Sequence, residues 1–300
     1  MTVVIDAYDT AVFDLDGVIY LGPVAVPGVA DAITALRQRG VRVGFVTNNA
    51  ARSPQEVADH LQELGIAAAP DDIVTSAQAV ARLVAARFSE GSPVLVAGTS
   101  ALEAEIRAVG LTPVSSSAEH PVAVVVGYAP QLRWADLNDA CLAVQAGAIW
   151  YGCNADRTRP QPEGQAIGMG AMLDAMRVTM PGNEPILAGK PRRPLLDETL
   201  RRLGAKHPIF VGDRLDTDIE GAHVAGIDSL FVLSGSHGPE DLLAAPPEQR
   251  PTYVAADISG LLQPAVGTGD APLDDLWRSA LAAWQAADRD RGTDEVAPPL

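Results

Sequence analysis

The sequence predicts an α/β fold, a doubly wound parallel sheet core interrupted by an inserted α/β domain. Three observations lead there. Short apolar runs end in polar residues and alternate with amphipathic helical stretches, the pattern of a parallel sheet covered on both faces. The chain's 300 residues exceed one average core, so two domains are expected. The core's rhythm is interrupted between residues 83 and 184 by a separate α/β stretch and then resumes.

In chain order, TAVFDLDGVIY begins as an apolar strand and stops at Asp14-Leu15-Asp16-Gly17. Residues 28–39 have helical spacing, with Val29, Ile33 and Leu36 on one face. VRVGFVTNN is a second strand ending in polar residues. Ser53-Pro54 opens the next helix, serine as N-cap and proline at the first helical position. The inserted unit, residues 83–184, holds the strands PVLVAG and PVAVVVGY, a helix over 134–146 and the strand AIWYGCN. Within it the Pro-rich RTRPQPEG is expected to be a loop, and MPGNEP the linker back. The core resumes with the strand PILAGK, a helix over 194–203, the strand PIFVGD, the helix DIEGAHVAG and the strand SLFVLSG. The core is therefore assigned to residues 1–82 and 185–265.

Residues 266–300 differ in character. GTGDAP reads as a linker, and DDLWRSALAAWQAADR as a helix with Leu276, Trp277, Leu281 and Trp284 near one face. The ending DRDRGTDEVAPPL is expected to be disordered. The helix either packs on its own domain or carries a contact between subunits, which would make a homo-oligomer.

Acidic residues outnumber basic ones 38 to 22, giving a formal net charge of -16. Such a surface repels nucleic acid and anionic membranes, so neither is expected as a partner. It also repels phosphorylated substrates, so any phosphate site must be made locally positive. The two cysteines, Cys141 and Cys153, form no disulfide framework and no zinc-like cluster. They fit small core residues in a reducing compartment. MTVVIDAYDT lacks the basic, apolar start of a signal peptide, and no apolar run has the length of a membrane span. A cytoplasmic enzyme is expected.

Four positions follow strands, and ligands of open α/β sheets bind beyond the carboxyl ends of strands. Asp14 and Asp16 sit at the first, with Gly17 to bend the chain. Two carboxylates there either bind a hard cation, or divide the work of nucleophile and proton handler. Their bland alternative is a solvated turn. Thr47-Asn48-Asn49 offers a hydroxyl, amides and N–H groups suited to phosphate oxygens, or forms an Asn-rich turn. Lys190 is held after a strand between Gly189 and Pro191; alone it would read as a surface lysine. Asp213, Asp216 and Asp218 crowd the fourth strand end, which implies a cation. Acids at a helix N-terminus are the competing explanation, and Asp218 suits that role.

Taken in this order, the segments FDLDGV, FVTNN, Lys190 and VGDRLDTD resemble the four motifs of the haloacid dehalogenase-like phosphatase superfamily. The resemblance covers about residues 8–264. It is strongest toward the branch with NagD phosphatase, p-nitrophenylphosphatases, and pyridoxal phosphate, phosphoglycolate and glycerol 3-phosphate phosphatases. That branch carries a large cap between its second and third motifs, where this chain has its long insertion. The resemblance implies a Rossmann-like core with an α/β cap and a magnesium-dependent phosphatase. Asp14 would attack phosphorus to form an aspartyl-phosphate, and Asp16 would serve as acid and then base. Mg²⁺ would be held by Asp14, the backbone carbonyl of Asp16 and Asp213, with Asp218 supporting its waters. Thr47, Asn48 and Lys190 would bind the phosphoryl group. NADRTRPQPEG and GMGAML resemble the branch's substrate-facing cap segment, and Asp216 is read as solvent-facing.

Competing readings are weaker. A carbon–halogen hydrolase needs no second acid, so Asp16 argues against it. A sugar-phosphate mutase would carry its cap between the first two motifs, where there is no room. A non-catalytic phosphate-binding regulatory module sits badly with four intact motifs. A nicotinamide site lacks a strand leading into G-x-G-x-x-G. Gly98-Thr99-Ser100 at a helix start is read as a capped helix before an anion site. Substrate choice is assigned to the cap, with Arg133, Asn154 and Asp156 as candidate contacts. A small polar pocket suits glycerol 3-phosphate or 2-phosphoglycolate. The low aromatic content, 5%, disfavours ring stacking, which leaves pyridoxal phosphate, sugar phosphates and nucleotides as alternatives.

Overall fold

The computed structural model describes residues 2–161, 164–264 and 271–294. The chain begins with β1 (Thr10–Asp14), a short hairpin of β2 (Tyr20–Leu21) and β3 (Val24–Ala25), α1 (Val29–Gln38) and β4 (Arg42–Thr47). Next come α2 (Pro54–Glu63), β5 (Ile73–Thr75), α3 (Ser76–Ala85), β6 (Pro93–Ala97), α4 (Ser100–Ala108) and β7 (Thr112–Val114). They are followed by β8 (Ala123–Val126), α5 (Trp134–Gln145), β9 (Ile149–Gly152), β10 (Thr158–Gln161), β11 (Gly164–Ile167) and α6 (Met169–Arg177). Then come β12 (Ile186–Leu187), α7 (Arg193–Leu203), β13 (Pro208–Gly212), a wide helical turn over Leu215–Ile219 and α8 (Glu220–Ala225). The last elements are β14 (Asp228–Val232), α9 (Pro239–Leu243), β15 (Tyr253–Ala255) and α10 (Ala271–Asp294).

Two compact units emerge, Met1–Val43 with Ala205–Leu300, and Gly44–Gly204. In the first, β15, β14, β13 and β1 lie side by side, all parallel, with Val12 opposite Phe210 and Phe231 opposite Val254. Near-continuous apolar runs form these strands because both faces are covered; Val12, Phe13, Phe210, Val211 and Phe231 are fully buried. The predicted face of α1, Val29, Ile33 and Leu36, is buried together with Ala32.

α10 belongs to this unit and packs on it. Ala280 and Trp284 join a buried cluster with Leu215, Ile219, Phe231, Leu242, Ala245 and Val254. Trp284 Nε1 donates to the Leu242 carbonyl at 2.9 Å, which satisfies the one polar atom its burial would strand. Arg250 covers the ring at 5.2 Å and donates in bidentate fashion to Asp288 at 2.7 and 2.8 Å. Leu281, expected on the same face, is 38% exposed. The expected disorder of DRDRGTDEVAPPL is corrected over its first seven residues, since α10 runs to Asp294. Once a helix is nucleated each further residue adds a bond at little cost. Of the predicted linker GTGDAP, Ala271 and Pro272 open α10, while residues 265–270, like 295–300, lie outside the described residues.

In the second unit β4 pairs in parallel with β5, and β12, β9, β8, β6 and β7 form a five-stranded sheet, also parallel throughout. Its core gathers Leu95, Val124, Val126, Leu137, Trp150 and Leu173. The predicted cap of α2 is present: Ser53 Oγ accepts from Glu56 N at 3.2 Å, and Glu56 Oε2 accepts from Ser53 N at 2.7 Å. The strand expected in PILAGK shrinks to Ile186–Leu187 and extends the five-stranded sheet through β9. RTRPQPEG is not a plain loop. Its residues 158–161 pair antiparallel with 164–167 in an isolated two-stranded ribbon, where a proline's missing N–H has no inner neighbour to satisfy. Among the described residues no helix is long and apolar enough to cross a membrane.

Candidate active site

Chain geometry at the end of β1 follows from Gly17. Its φ of 87° turns the backbone so that its N–H donates to the Tyr20 carbonyl at 2.8 Å. Side-chain absence matters as much, because a Cβ at Gly17 would overlap Asp213 Oδ2. The same holds on the opposite wall, where a Cβ at Gly235 would strike that oxygen, and at Gly212, where it would meet Asp218. Backbone thus closes around two buried carboxylates. Ser236 N donates to Asp213 Oδ2 at 2.6 Å, and Ser234 Oγ donates to the Gly17 carbonyl at 2.7 Å.

The wide turn Leu215–Ile219, where a regular helix was expected from Asp218, swings Asp218 back toward the end of β13. Its Oδ2 accepts from Asp213 N at 3.2 Å and Arg214 N at 3.1 Å. Asp14, Asp213 and Asp218 each then offer one carboxylate oxygen, and these lie within 4.8 Å of one another. Three crowded acids, two of them buried, favour a compensating cation. An all-oxygen set suits a hard divalent ion such as Mg²⁺. Asp16 is exposed and is not one of the three converging acids. Asp216, read as solvent-facing, is half-exposed and paired with Arg214 at 2.8 and 3.1 Å. Burial pushes its carboxyl up, but the Arg214 hydrogen bonds and charge outweigh that and hold it below its ordinary value.

The second unit carries its own constellation. Lys190 is buried, and the amide of Asn48 clamps its backbone. Lys190 N donates to Asn48 Oδ1 at 2.8 Å, and Asn48 Nδ2 donates to the Lys190 carbonyl at 3.1 Å. The same Nδ2 reaches Asp156 Oδ2 at 3.2 Å. Asn154 Nδ2 and Ser76 Oγ donate to the Asn48 carbonyl at 2.7 and 2.6 Å. Gly189 has no room for a Cβ, which would sit 2.6 Å from both Asn48 Oδ1 and the Cys153 carbonyl. Thr47 is buried at the end of β4, its Oγ1 accepting from Asn49 N at 3.1 Å.

Sequence-predicted residues therefore fall into two groups. Asp14, Asp213 and Asp218 converge in one unit; Asn48, Asn154, Asp156 and Lys190 converge in the other. Arg133 stands apart, 77% exposed at the start of α5 with its guanidinium bridging Asp136. Thr99 Oγ1 donates to the Ala51 carbonyl, so the Gly98-Thr99-Ser100 turn serves a structural contact. Sequence reasoning missed Ser234-Gly235-Ser236, because small residues after an apolar strand are too common to mark a site by themselves.

A family profile for haloacid dehalogenase-like hydrolases matches residues 11–112, and a second, HAD-hydrolase-like profile matches residues 187–261. The D-glycerol 3-phosphate phosphatase of Mycobacterium tuberculosis is 44% identical over 256 residues, 85% of this chain and 71% of that protein. The chain belongs to the haloacid dehalogenase-like hydrolases. Among its individual relatives, an acid sugar phosphatase of Staphylococcus saprophyticus is 33% identical, covering 85% of this chain and 97% of its own. A crystal structure of the Mycobacterium tuberculosis glycerol phosphate phosphatase in complex with magnesium superposes with a TM-score of 0.90 at 39% identity, over 95% of this chain and 93% of that one. The 4-nitrophenylphosphatase of Thermotoga maritima gives 0.79 at 30% identity, over 87% and 98%.

Proposed function

We propose that the protein is a magnesium-dependent phosphatase of small phosphorylated metabolites, with glycerol 3-phosphate or 2-phosphoglycolate as first candidates. The observation that carries this reading is the convergence of Asp14, Asp213 and Asp218 at ligand distance from one another. The 44% identical glycerol 3-phosphate phosphatase supports it. A sugar phosphate is the second reading, favoured by the similarity to acid sugar phosphatases.

Asp14, Asp213, Asp218 and the backbone carbonyl of Asp16 would hold Mg²⁺, which when bound offsets the repulsion between a carboxylate nucleophile and a phosphate dianion. A carboxylate oxygen of Asp14 attacks phosphorus while the bond to the leaving oxygen breaks, and Asp16 gives that oxygen its proton. In the second step Asp16 takes a proton from water, the water oxygen bonds to phosphorus, and the Asp14–phosphorus linkage breaks to release inorganic phosphate. Thr47, the backbone N–H of Asn48 and the ammonium of Lys190 bind the transferring group. Asn154 and Asp156 act through Asn48, holding it in place. Residues 83–184 serve as the cap that selects the substrate, with Arg133 an outlying contact, on a core of 1–82 and 185–265. The acidic surface suits a cytoplasmic enzyme that engages neither nucleic acid nor membrane.

The test is phosphate release from a panel of phosphometabolites with and without Mg²⁺. Wild type is expected to turn over at least one of them only with the metal, and Asp14→Asn none. Equal rates for the two proteins sink the mechanism.

A further inference from the structure

We propose that Arg159, stacked on Tyr128, determines specificity by receiving the leaving-group end of the substrate, and that it favours small phosphomonoesters bearing a carboxylate. The inference rests on the phosphatase reading and sharpens it.

Arg159 differs from its neighbours. Arg107, Arg133, Arg157 and Arg177 of the same unit each hold a carboxylate. Among the described residues Arg159 makes no ion pair, in a chain where acids outnumber bases 38 to 22. Its guanidinium carbon instead lies 4.5 Å from the centroid of the Tyr128 ring. Its Nε is buried with no hydrogen-bond partner, while the residue as a whole is half-exposed. A guanidinium fixed by stacking and left without an acid is a receptor for an anion. With Nε covered, its remaining donors are the two Nη groups.

Placement links the pair to the phosphate-binding side of this unit. Tyr128 follows Gly127, where a Cβ would sit 3.1 Å from Cys153 Sγ and 3.5 Å from the Ala50 Cβ. Ala50 is two residues past Asn48, and Cys153 precedes Asn154, so the ring is rooted beside the clamp on Lys190. On the other side the backbone before Arg159 is pinned. Gly170 N donates to the Asp156 carbonyl at 2.8 Å and Gly168 N to the Arg157 carbonyl at 2.9 Å. A Cβ at Gly168 or Gly170 would overlap the carbonyls of Asp156 or Ala155. Arg159 is thus held at both ends, its stem by a docked backbone and its head by an aromatic face.

The chemistry ranks substrates. A carboxylate accepts two parallel, charge-assisted N–H bonds from the Nη groups, hydroxyls accept singly, and the uncharged nitro group of p-nitrophenyl phosphate is only a weak acceptor. The experiment measures kcat/KM of the full-length enzyme with Mg²⁺ on 2-phosphoglycolate, glycerol 3-phosphate and p-nitrophenyl phosphate, for wild type, Arg159→Gln and Arg159→Lys. Arg159→Gln is expected to lose roughly ten- to a hundredfold on 2-phosphoglycolate, chiefly in KM, less on glycerol 3-phosphate, and under about twofold on p-nitrophenyl phosphate. Arg159→Lys should restore part of the loss. Equal losses on all three, or none, overturn the proposal. Calorimetric titration with 2-phosphoglycolate separates this from the phosphatase reading. If no protein hydrolyses any ester, that reading fails, and weaker binding by Arg159→Gln still upholds the role of Arg159 while equal binding overturns it.

Discussion

Replacing Asn48 by aspartate changes one amide nitrogen to oxygen and nothing in shape, so its effect isolates what that nitrogen does. In the native protein it donates to the Lys190 carbonyl at 3.1 Å and to Asp156 Oδ2 at 3.2 Å. Asn48→Asp removes both bonds and sets two carboxylates face to face. Two unit charges at 3.2 Å repel by about 5 kcal/mol at an effective dielectric of about 20. Both residues are half-exposed, and water brings the net penalty down to roughly 2 kcal/mol. The lost bond to Lys190 adds about 1 kcal/mol. If Lys190 must be held for catalysis, about 3 kcal/mol corresponds to roughly a hundredfold loss in kcat/KM. The pH dependence is the decisive part. Two adjacent carboxylates share a proton, so the pair's apparent pKa rises above the ordinary carboxylate range. The defect is full above that pKa and fades as pH falls through it. The assay is kcat/KM relative to wild type between about pH 4 and 8, with Asn48→Ala as the control that loses the bonds without gaining charge. An Asn48→Asp enzyme no worse than Asn48→Ala, with a flat pH ratio, would refute the argument.

Other predictions follow from the same packing. Gly17→Ala places a Cβ on Asp213 Oδ2 and strains a φ of 87°, so Mg²⁺ affinity measured by calorimetry should fall at least about tenfold, and kcat/KM with it. Trp284→Ala empties the buried cluster under α10 and should destabilise the first unit by about 3–5 kcal/mol, read as a lowered denaturation midpoint. Glu198 is buried, which raises its carboxyl, but hydrogen bonds from Arg201 and Arg202 at 2.6–2.8 Å outweigh burial and hold it below its ordinary value. A depressed folded pKa stabilises above the unfolded value of 4.5 and is lost as pH falls through the folded one. Urea midpoints of wild type should therefore drop below about pH 4.5 more steeply than those of Glu198→Gln.

Strands were legible because burial on both faces leaves almost no polar residue in TAVFD or PIFVG, and the acids that end such runs are conspicuous. That is why Asp14 and Asp213 could be read from the chain alone. Asn48 was legible as a polar strand end, yet its partner Lys190 lies 142 residues away, and no local pattern records a side chain that hydrogen-bonds so distant a backbone. The hairpin 158–167 was hidden by its prolines, which signal a loop wherever neighbouring strands are not known. Gly235 was hidden for the opposite reason. A glycine after a strand is ordinary, and only the position of Asp213 shows that a methyl group would not fit there.

The second family profile stops at residue 261, ten residues before α10 begins. A fragment cut where the family match ends would keep every proposed catalytic residue. It would also uncover Leu242, Ala245 and Val254, to which Ala280 and Trp284 supply the missing wall. The boundary of the shared chemistry and the boundary of the foldable unit are therefore different places in this chain, and an expression boundary belongs beyond Asp288, which Arg250 ties back to the body.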